Sequence, residues 1–134
     1  MSLYCLEDFK IGFEKLKSKN SYKTIEQEAI RYSFGKSTQE LLAGTRLNYS
    51  NETLHLKKRL GGRGGFRFYF FLILKNNSHY LMFVHAKLGA LGGENITDES
   101  KAFLYKKVLR CIETKNLYSL SLSENMDKIV FDKL

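Results

Sequence analysis

Five cationic side chains and four glycines share the short stretch LHLKKRLGGRGGFR, residues 54–67. The cations are Lys57, Lys58, Arg59, Arg63 and Arg67. Like charges this close together repel one another, so such a cluster is usually matched by an anionic ligand or an acidic partner. The plainer alternative is a hairpin connection in which glycines supply positive φ and the cations lie in solvent. That alternative accounts for the glycines better than for the charges.

The strands on either side of this stretch decide whether the cations can act together. Side-chain alternation puts Lys57 and Arg59 on one face of a strand and Lys58 on the other. Arg67 begins the next strand, residues 66–74, and Lys87 ends a third, residues 79–87. If Arg67 shares the face of Lys57 and Arg59, three cations converge, and Lys87 can join them. The result is a concave positive surface suited to a phosphodiester backbone.

Elements around these strands predict an α+β domain with an N-terminal helical hairpin, a small antiparallel β-sheet and a C-terminal helix. Helical spacing of apolar residues marks two helices in the first third and one that starts at 97–99. The residues that mark them are Phe9, Phe13, Leu16; Ile25, Ala29, Tyr32; and Phe103, Leu104, Val108, Leu109, Ile112. A capping box at residues 37–40 precedes a short third turn. Residues 75–78 predict a hairpin turn, and the alternating tail 117–134 predicts one or two edge strands.

Length and charge restrict the class of protein. A chain of 134 residues suits one domain, taken as 1–134, and a formal charge of +8 favours nucleic acid or an acidic protein as partner. Cys5 and Cys111 have no metal spacing and are expected to be reduced thiols, with Cys111 in a helix core. The longest apolar run is too short to span a bilayer, so a cytoplasmic protein without a membrane partner is expected.

Several familiar motifs fail here. The sequence GKST at 35–38 ends like a phosphate-binding loop, but position 30 is Ile where that motif needs Gly. The three histidines, His55, His79 and His85, have no Cys or carboxylate neighbours at ligand spacing, so no metal is expected. No serine-hydrolase elbow or carboxylate pair of the glycosidase kind occurs. We therefore expect no metal ion and no small-molecule cofactor.

The order of short motifs resembles the RelE/HigB family of bacterial toxins. In this chain the motifs read Lys57-Lys58-Arg59, Gly64-Gly65-Phe66-Arg67, His85-Ala86-Lys87 and Glu94-Asn95-Ile96-Thr97-Asp98-Glu99. The similarity covers roughly residues 5–115, and its specific core is 54–99. The resemblance implies a RelE-like fold and a type II toxin that cleaves mRNA on the ribosome without a metal. It also implies a cognate antitoxin protein as partner, beside mRNA and the ribosome.

The resemblance also implies roles for individual residues. Attack by a ribose 2′-OH needs a base, charge stabilisation at the phosphate and an acid for the leaving oxygen. Arg67 would bind the scissile phosphate, Lys57 and Arg59 would position the backbone, and Lys87 would complete the set. A lysine among other cations loses its proton more easily and could be the base. Lys58 and Arg63 would bind RNA, and His85 is either an acid–base group or a structural core residue.

Two departures keep other functions open. The segment LGALGG at 88–93 is apolar where relatives carry charge, and no Tyr in the following loop could stack on a base. A catalytically inactive RelE-fold protein that binds nucleic acid or an antitoxin is one alternative. A gyrase inhibitor of the ParE type is another, although it would lack the basic cluster. The direction of Lys57, Arg59, Arg67 and Lys87 relative to one another separates these alternatives from the nuclease.

Overall fold

The computed structural model describes residues 2–19, 24–34, 45–46, 53–60, 66–73, 78–86 and 98–134. Within 45–73, 85–86 and 98–101 it is the backbone of these residues that is described. The helices are α1 (Glu7–Lys17), α2 (Ile25–Ser33) and α3 (Asp98–Thr114). The strands are β1 (Ser2–Cys5), β2 (Thr45–Arg46), β3 (Thr53–Leu60), β4 (Phe66–Ile73), β5 (Ser78–Ala86), β6 (Tyr118–Leu122) and β7 (Ile129–Lys133). The α+β class predicted from the sequence is confirmed.

The strands form one mixed sheet with the order β2-β3-β4-β5-β1-β6-β7. The predicted small antiparallel sheet is wrong in two respects, since the sheet has seven strands and β1 runs parallel to β5. The first third of the chain is also not purely helical, because it opens with β1. A segment of four residues is too short for side-chain alternation to predict a strand. Their extended form depends on hydrogen bonding to β5 on one side and β6 on the other.

The two N-terminal helices bury one apolar stripe each, as their spacing predicts. Phe9, Phe13 and Leu16 of α1 are buried, and so are the apolar residues Ile25, Ala29 and Tyr32 of α2. These six form one core cluster with Leu3, Cys5, Leu81, Val84, Leu120 and Ile129. Acidic residues begin both helices and basic residues end them, which favours the helix dipole at each end. The helices therefore cover one face of the middle of the sheet.

The third helix packs on a second cluster, on the other face of β5. Val108 and Cys111 are buried there against Leu6, Tyr80, Met82 and Leu117. The prediction for α3 is confirmed for Val108, Leu104 and Ile112 but wrong for two residues: Phe103 is 66 % exposed and Leu109 is 41 % exposed. A helix covered from one side only buries a narrow arc. The apolar residues of α3 extend beyond that arc.

The C-terminal tail forms the two predicted strands, and both join the sheet. β6 pairs antiparallel with β1, and β7 pairs antiparallel with β6. The Glu26 carboxylate of α2 connects this edge of the sheet to the helices. It accepts a hydrogen bond from the Ile129 N–H at 3.0 Å and lies 3.2 Å from Lys17 Nζ. The tail is thus part of the sheet and of its packing against α1 and α2.

Strand pairing in the middle of the sheet agrees with the sequence prediction. β3 pairs antiparallel with β4, and β4 pairs antiparallel with β5. The capping box at 37–40, the turn residues 75–77, the loop 88–94 and Thr97 lie outside the described residues. Among the helices that are described, none has both the length and the apolar character needed to cross a membrane.

Candidate nucleic-acid interface

Three of the predicted site residues occupy one row across the sheet. Arg59 of β3 is the direct backbone partner of Arg67 of β4, and Arg67 is in turn the partner of His85 of β5. Neighbouring strands lie roughly 5 Å apart, and direct partners share a face of the sheet. We call Arg59, Arg67 and His85 the cationic row.

A second row lies beside it. Lys57 is the partner of Tyr69, and Tyr69 is the partner of Phe83. Residues two apart along a strand share a face, so this row lies on the same face as the cationic row. The register shift in the β4–β5 ladder falls beyond Tyr69, between Tyr69 and Phe70, so both rows precede it. The condition set by the sequence, that Arg67 share a face with Lys57 and Arg59, is met by the backbone register.

The face that carries both rows is the one turned away from α1. Val84, which alternates with Phe83 and His85, is buried in the cluster formed with α1 and α2. A Cβ added to Gly12 of α1 would come within 2.8 Å of the Val84 carbonyl oxygen, so α1 crosses β5 there at close range. Phe83 packs instead against the cluster under α3. The two rows are therefore not covered by the N-terminal helices.

The other basic residues fall into two groups. Lys58 is the partner of Phe68, which is the partner of Val84, so Lys58 belongs to the face of α1. Its part in RNA binding stays a prediction to which the register adds nothing. Arg63, in the segment that connects β3 to β4, and Lys87, which follows the last residue of β5, lie outside the described residues. Their predicted roles likewise stay predictions.

The positive charges of the cationic row favour the binding of an anion. Like charges directly opposite one another on a sheet are destabilising, and Arg59 faces Arg67 in this way. A bound phosphate would offset that repulsion through charge-assisted hydrogen bonds, since guanidinium groups bind phosphate in a bidentate manner. Imidazole is the side chain that most readily exchanges protons near neutral pH, so His85 adds acid–base capacity to the row. Residue types capable of phosphate binding and of proton transfer thus occupy one row of the backbone register.

Tyr69 is a site candidate that the sequence prediction missed. It lies two residues after Arg67, on the same face, and is the backbone partner of Lys57. A phenol can donate a hydrogen bond to phosphate and can stack on a base. The signal was present, because alternation from Arg67 points to position 69. An apolar run from 68 to 74 draws attention to core packing instead.

No protein-family model and no curated protein matches this chain. Among the residues that are described, no group of three or more His, Cys, Asp or Glu side chains could hold a metal ion.

Proposed function

We propose that the chain is a RelE/HigB-like toxin that cleaves mRNA, with the cationic row as the centre of its active site. The observation that carries the proposal is the register Arg59–Arg67–His85, with Lys57 on the same face. This register supports the roles that the resemblance implies, namely phosphate binding for the two arginines and proton transfer for the histidine or the lysine. The same proposal includes a RelE-like arrangement of the α+β fold.

The proposed reaction transfers the phosphate within the RNA. The ribose 2′-oxygen bonds to the adjacent phosphorus and gives its proton to a base, for which Lys57 and His85 are the candidates. The bond from phosphorus to the 5′-oxygen breaks, and that oxygen takes a proton from an acid. Arg67 and Arg59 stabilise the extra negative charge on the phosphate. The products are a 2′,3′-cyclic phosphate and a free 5′-hydroxyl.

Dependence on the ribosome follows from the same surface. A face of cations binds any phosphodiester backbone and has no evident means of aligning the 2′-oxygen with the leaving group. Alignment contributes a large part of the rate in such reactions. A ribosome that holds mRNA in its decoding site would supply that alignment, and a cognate antitoxin would keep the toxin inactive until needed.

Replacing Arg67 by Ala tests the proposal most directly. We expect wild-type expression in a bacterial host to arrest growth and to create new mRNA 5′ ends within translated codons. These ends should carry hydroxyl groups, so adaptors should ligate to them only after phosphorylation. Arg67→Ala and Arg59→Ala should abolish both effects, since each removes a phosphate-binding group, while thermal unfolding stays nearly unchanged.

Two further variants control for loss of charge alone. Arg31→Ala removes an exposed cation on α2 whose ion-pair partner in the described part of the chain is Glu28, at 3.4 Å, and should keep full toxicity. Lys58→Ala removes a cation from the same strand as Arg59 but from the opposite face, and should weaken toxicity less. Intact mRNA and normal growth with the wild-type protein would favour the binding protein without catalysis. Growth arrest with intact mRNA and inhibited gyrase would favour the ParE-type function.

A further inference from the structure

A groove of about 410 Å³ runs along the outer flank of α3, apart from the cationic row. It is lined by Phe103, Lys106, Lys107, Arg110, Cys111 and Asn116, together with Thr114. Residues three, four and seven apart lie on one side of a helix, so Phe103, Lys107 and Arg110 form a single stripe. The groove thus lies along one helix, and Asn116, just after the helix, borders it.

Positive charge exceeds negative charge around this groove. Lys107 Nζ donates to Asp8 Oδ2 at 2.5 Å, which compensates one lysine. Neither Lys106 nor Arg110 forms an ion pair within the described part of the chain. Lys133 Nζ, which donates to Asn116 Oδ1 at 2.5 Å, adds a cation at the far end. Within the described part of the chain, the exposed Lys106 and Arg110 beside the groove thus have no carboxylate partner.

Charged groups from three elements act on the Cys111 thiol at the base of the groove. Burial is the largest influence and raises the pKa of the thiol; Lys107 lowers it, Asp8 raises it, and Lys133 and Arg110 lower it. Three of these four charged groups are cations, in agreement with the positive charge beside the groove.

The groove is also apolar. Phe103 is 66 % exposed at its border, and Cys111 forms a buried thiol below. An exposed aromatic ring with cations on the same helix face is typical of a surface that binds a partner, because the ring gains from being covered and the cations give specificity. A single exposed ring among the groove's described lining residues makes no stacking track for successive bases, which favours a protein segment over nucleic acid.

We infer that this groove binds an acidic segment of a partner protein. The segment places an apolar side chain on Phe103 and carboxylates at Lys106 and Arg110. Arg110 suits a carboxylate especially well, since its guanidinium can hold both oxygens. The inference does not depend on the proposed nuclease activity, because none of the groove's described lining residues belongs to the cationic row.

Fluorescence anisotropy with labelled probes tests this inference on the full chain. The first probe is a short peptide of Glu and Asp with two central leucines. The second carries serines in place of the leucines, and the third is an oligouridylate of equal charge. We expect the leucine peptide to bind at least about tenfold more tightly than the serine peptide, as an apolar anchor in a groove requires. Oligouridylate should not compete for the groove.

Variants locate the binding site. The double charge reversal Lys106→Glu with Arg110→Glu should weaken binding of the leucine peptide by about tenfold or more, because attraction becomes repulsion. Phe103→Ser, at an exposed position that tolerates the change, should remove the preference for leucine over serine. Lys19→Glu also makes the net charge more negative, but at an exposed residue outside the groove, and is the control. It should leave the affinity within about twofold of wild type.

Three results would overturn the inference. Equal affinity for the leucine and serine peptides would show a nonspecific anion surface. Tighter binding of oligouridylate, lost on the double reversal, would assign the groove to nucleic acid. No binding of any probe would leave the groove without a ligand of this class. Arg67→Ala should keep peptide affinity, so failure of the nuclease proposal and failure of this one are distinguishable.

Discussion

His79 is fully buried in β5, where its backbone pairs with Leu3 of β1 and Leu72 of β4. Burial lowers the pKa of its imidazole to about 3, so the ring is neutral in the folded protein at all ordinary pH values. A ring that stays neutral cannot be the acid of a reaction near neutral pH. Of the two histidines of β5, His85 in the cationic row is thus the better candidate for proton transfer, and His79 belongs to the core.

The buried imidazole predicts a dependence of stability on pH. The unfolded chain binds a proton at His79 below about pH 6.5, while the folded chain does not until about pH 3. Stability is therefore fully present above pH 6.5 and is lost as pH falls between these two values. The expected loss is about 1 kcal/mol per pH unit over the interval from 6 to 5, where few carboxylates titrate.

Urea unfolding of wild type and His79→Gln at several pH values checks this. His79→Gln keeps a polar side chain without a titrating group, so its stability should change less over the same interval. The two stabilities should therefore converge as pH falls. Parallel curves would mean that His79 is protonated equally in both states, which would contradict its burial as a neutral ring.

At the scale of elements, the contact between α1 and β5 fixes which face of the sheet carries the cationic row. Gly12 lets the helix backbone approach the Val84 carbonyl so closely that a Cβ at this position would lie 2.8 Å from the oxygen. That contact assigns Val84 to the covered face and, through alternation, Phe83 and His85 to the other. A single glycine in α1 therefore helps to decide where the cationic row lies.

Gly12→Ala should destabilise the protein although alanine is the better helix former. Alanine favours the helix by about 1 kcal/mol, but relieving a clash with strand backbone costs about 1–3 kcal/mol, so we expect a net loss of up to about 2 kcal/mol. Lys15→Ala, at an exposed position of the same helix, should change stability by less than about 0.5 kcal/mol. Unfolding in urea measures both. A more stable Gly12→Ala protein would show that α1 and β5 are not in this close contact.

At the scale of the whole molecule, a formal charge of +8 acts on any polyanion. Part of that charge is compensated within the fold, as in the pairs Lys10–Glu14 and Lys17–Glu26. Two concentrations of basic residues stand out: Arg59 and Arg67 in the cationic row, and Lys106, Lys107 and Arg110 at the groove on α3. We propose a phosphate backbone as the ligand of the first and an acidic protein segment as the ligand of the second.

The dependence of RNA binding on salt should distinguish the row from the general charge. Each phosphate contact on a single strand contributes about −0.7 to the slope of log affinity against log salt. Loss of Arg67 should reduce the magnitude of the slope by roughly that amount, whereas Arg31→Ala should leave it unchanged. A 2′-O-methyl oligouridylate is the probe, because it lacks the attacking hydroxyl and stays intact. Equal slopes for the two variants would place Arg67 outside the RNA contact.

Much of the fold was determined by the sequence itself. Apolar spacing fixed the inward faces of α1 and α2, and alternation with turn residues fixed β3, β4, β5 and the two strands of the tail. These signals are local, so a short window of sequence carries them. The cationic cluster was equally easy to recognise from the sequence, because its members are close along the chain.

Tertiary structure decided the remainder. β1 is a strand because β5 and β6 supply its hydrogen bonds, and no local pattern specifies partners so distant along the chain. The exposure of Phe103 and Leu109 follows from how narrow a strip of α3 the sheet covers. The row of Arg59, Arg67 and His85 is likewise a matter of register. A shift of one residue between strands would have sent each to the opposite face.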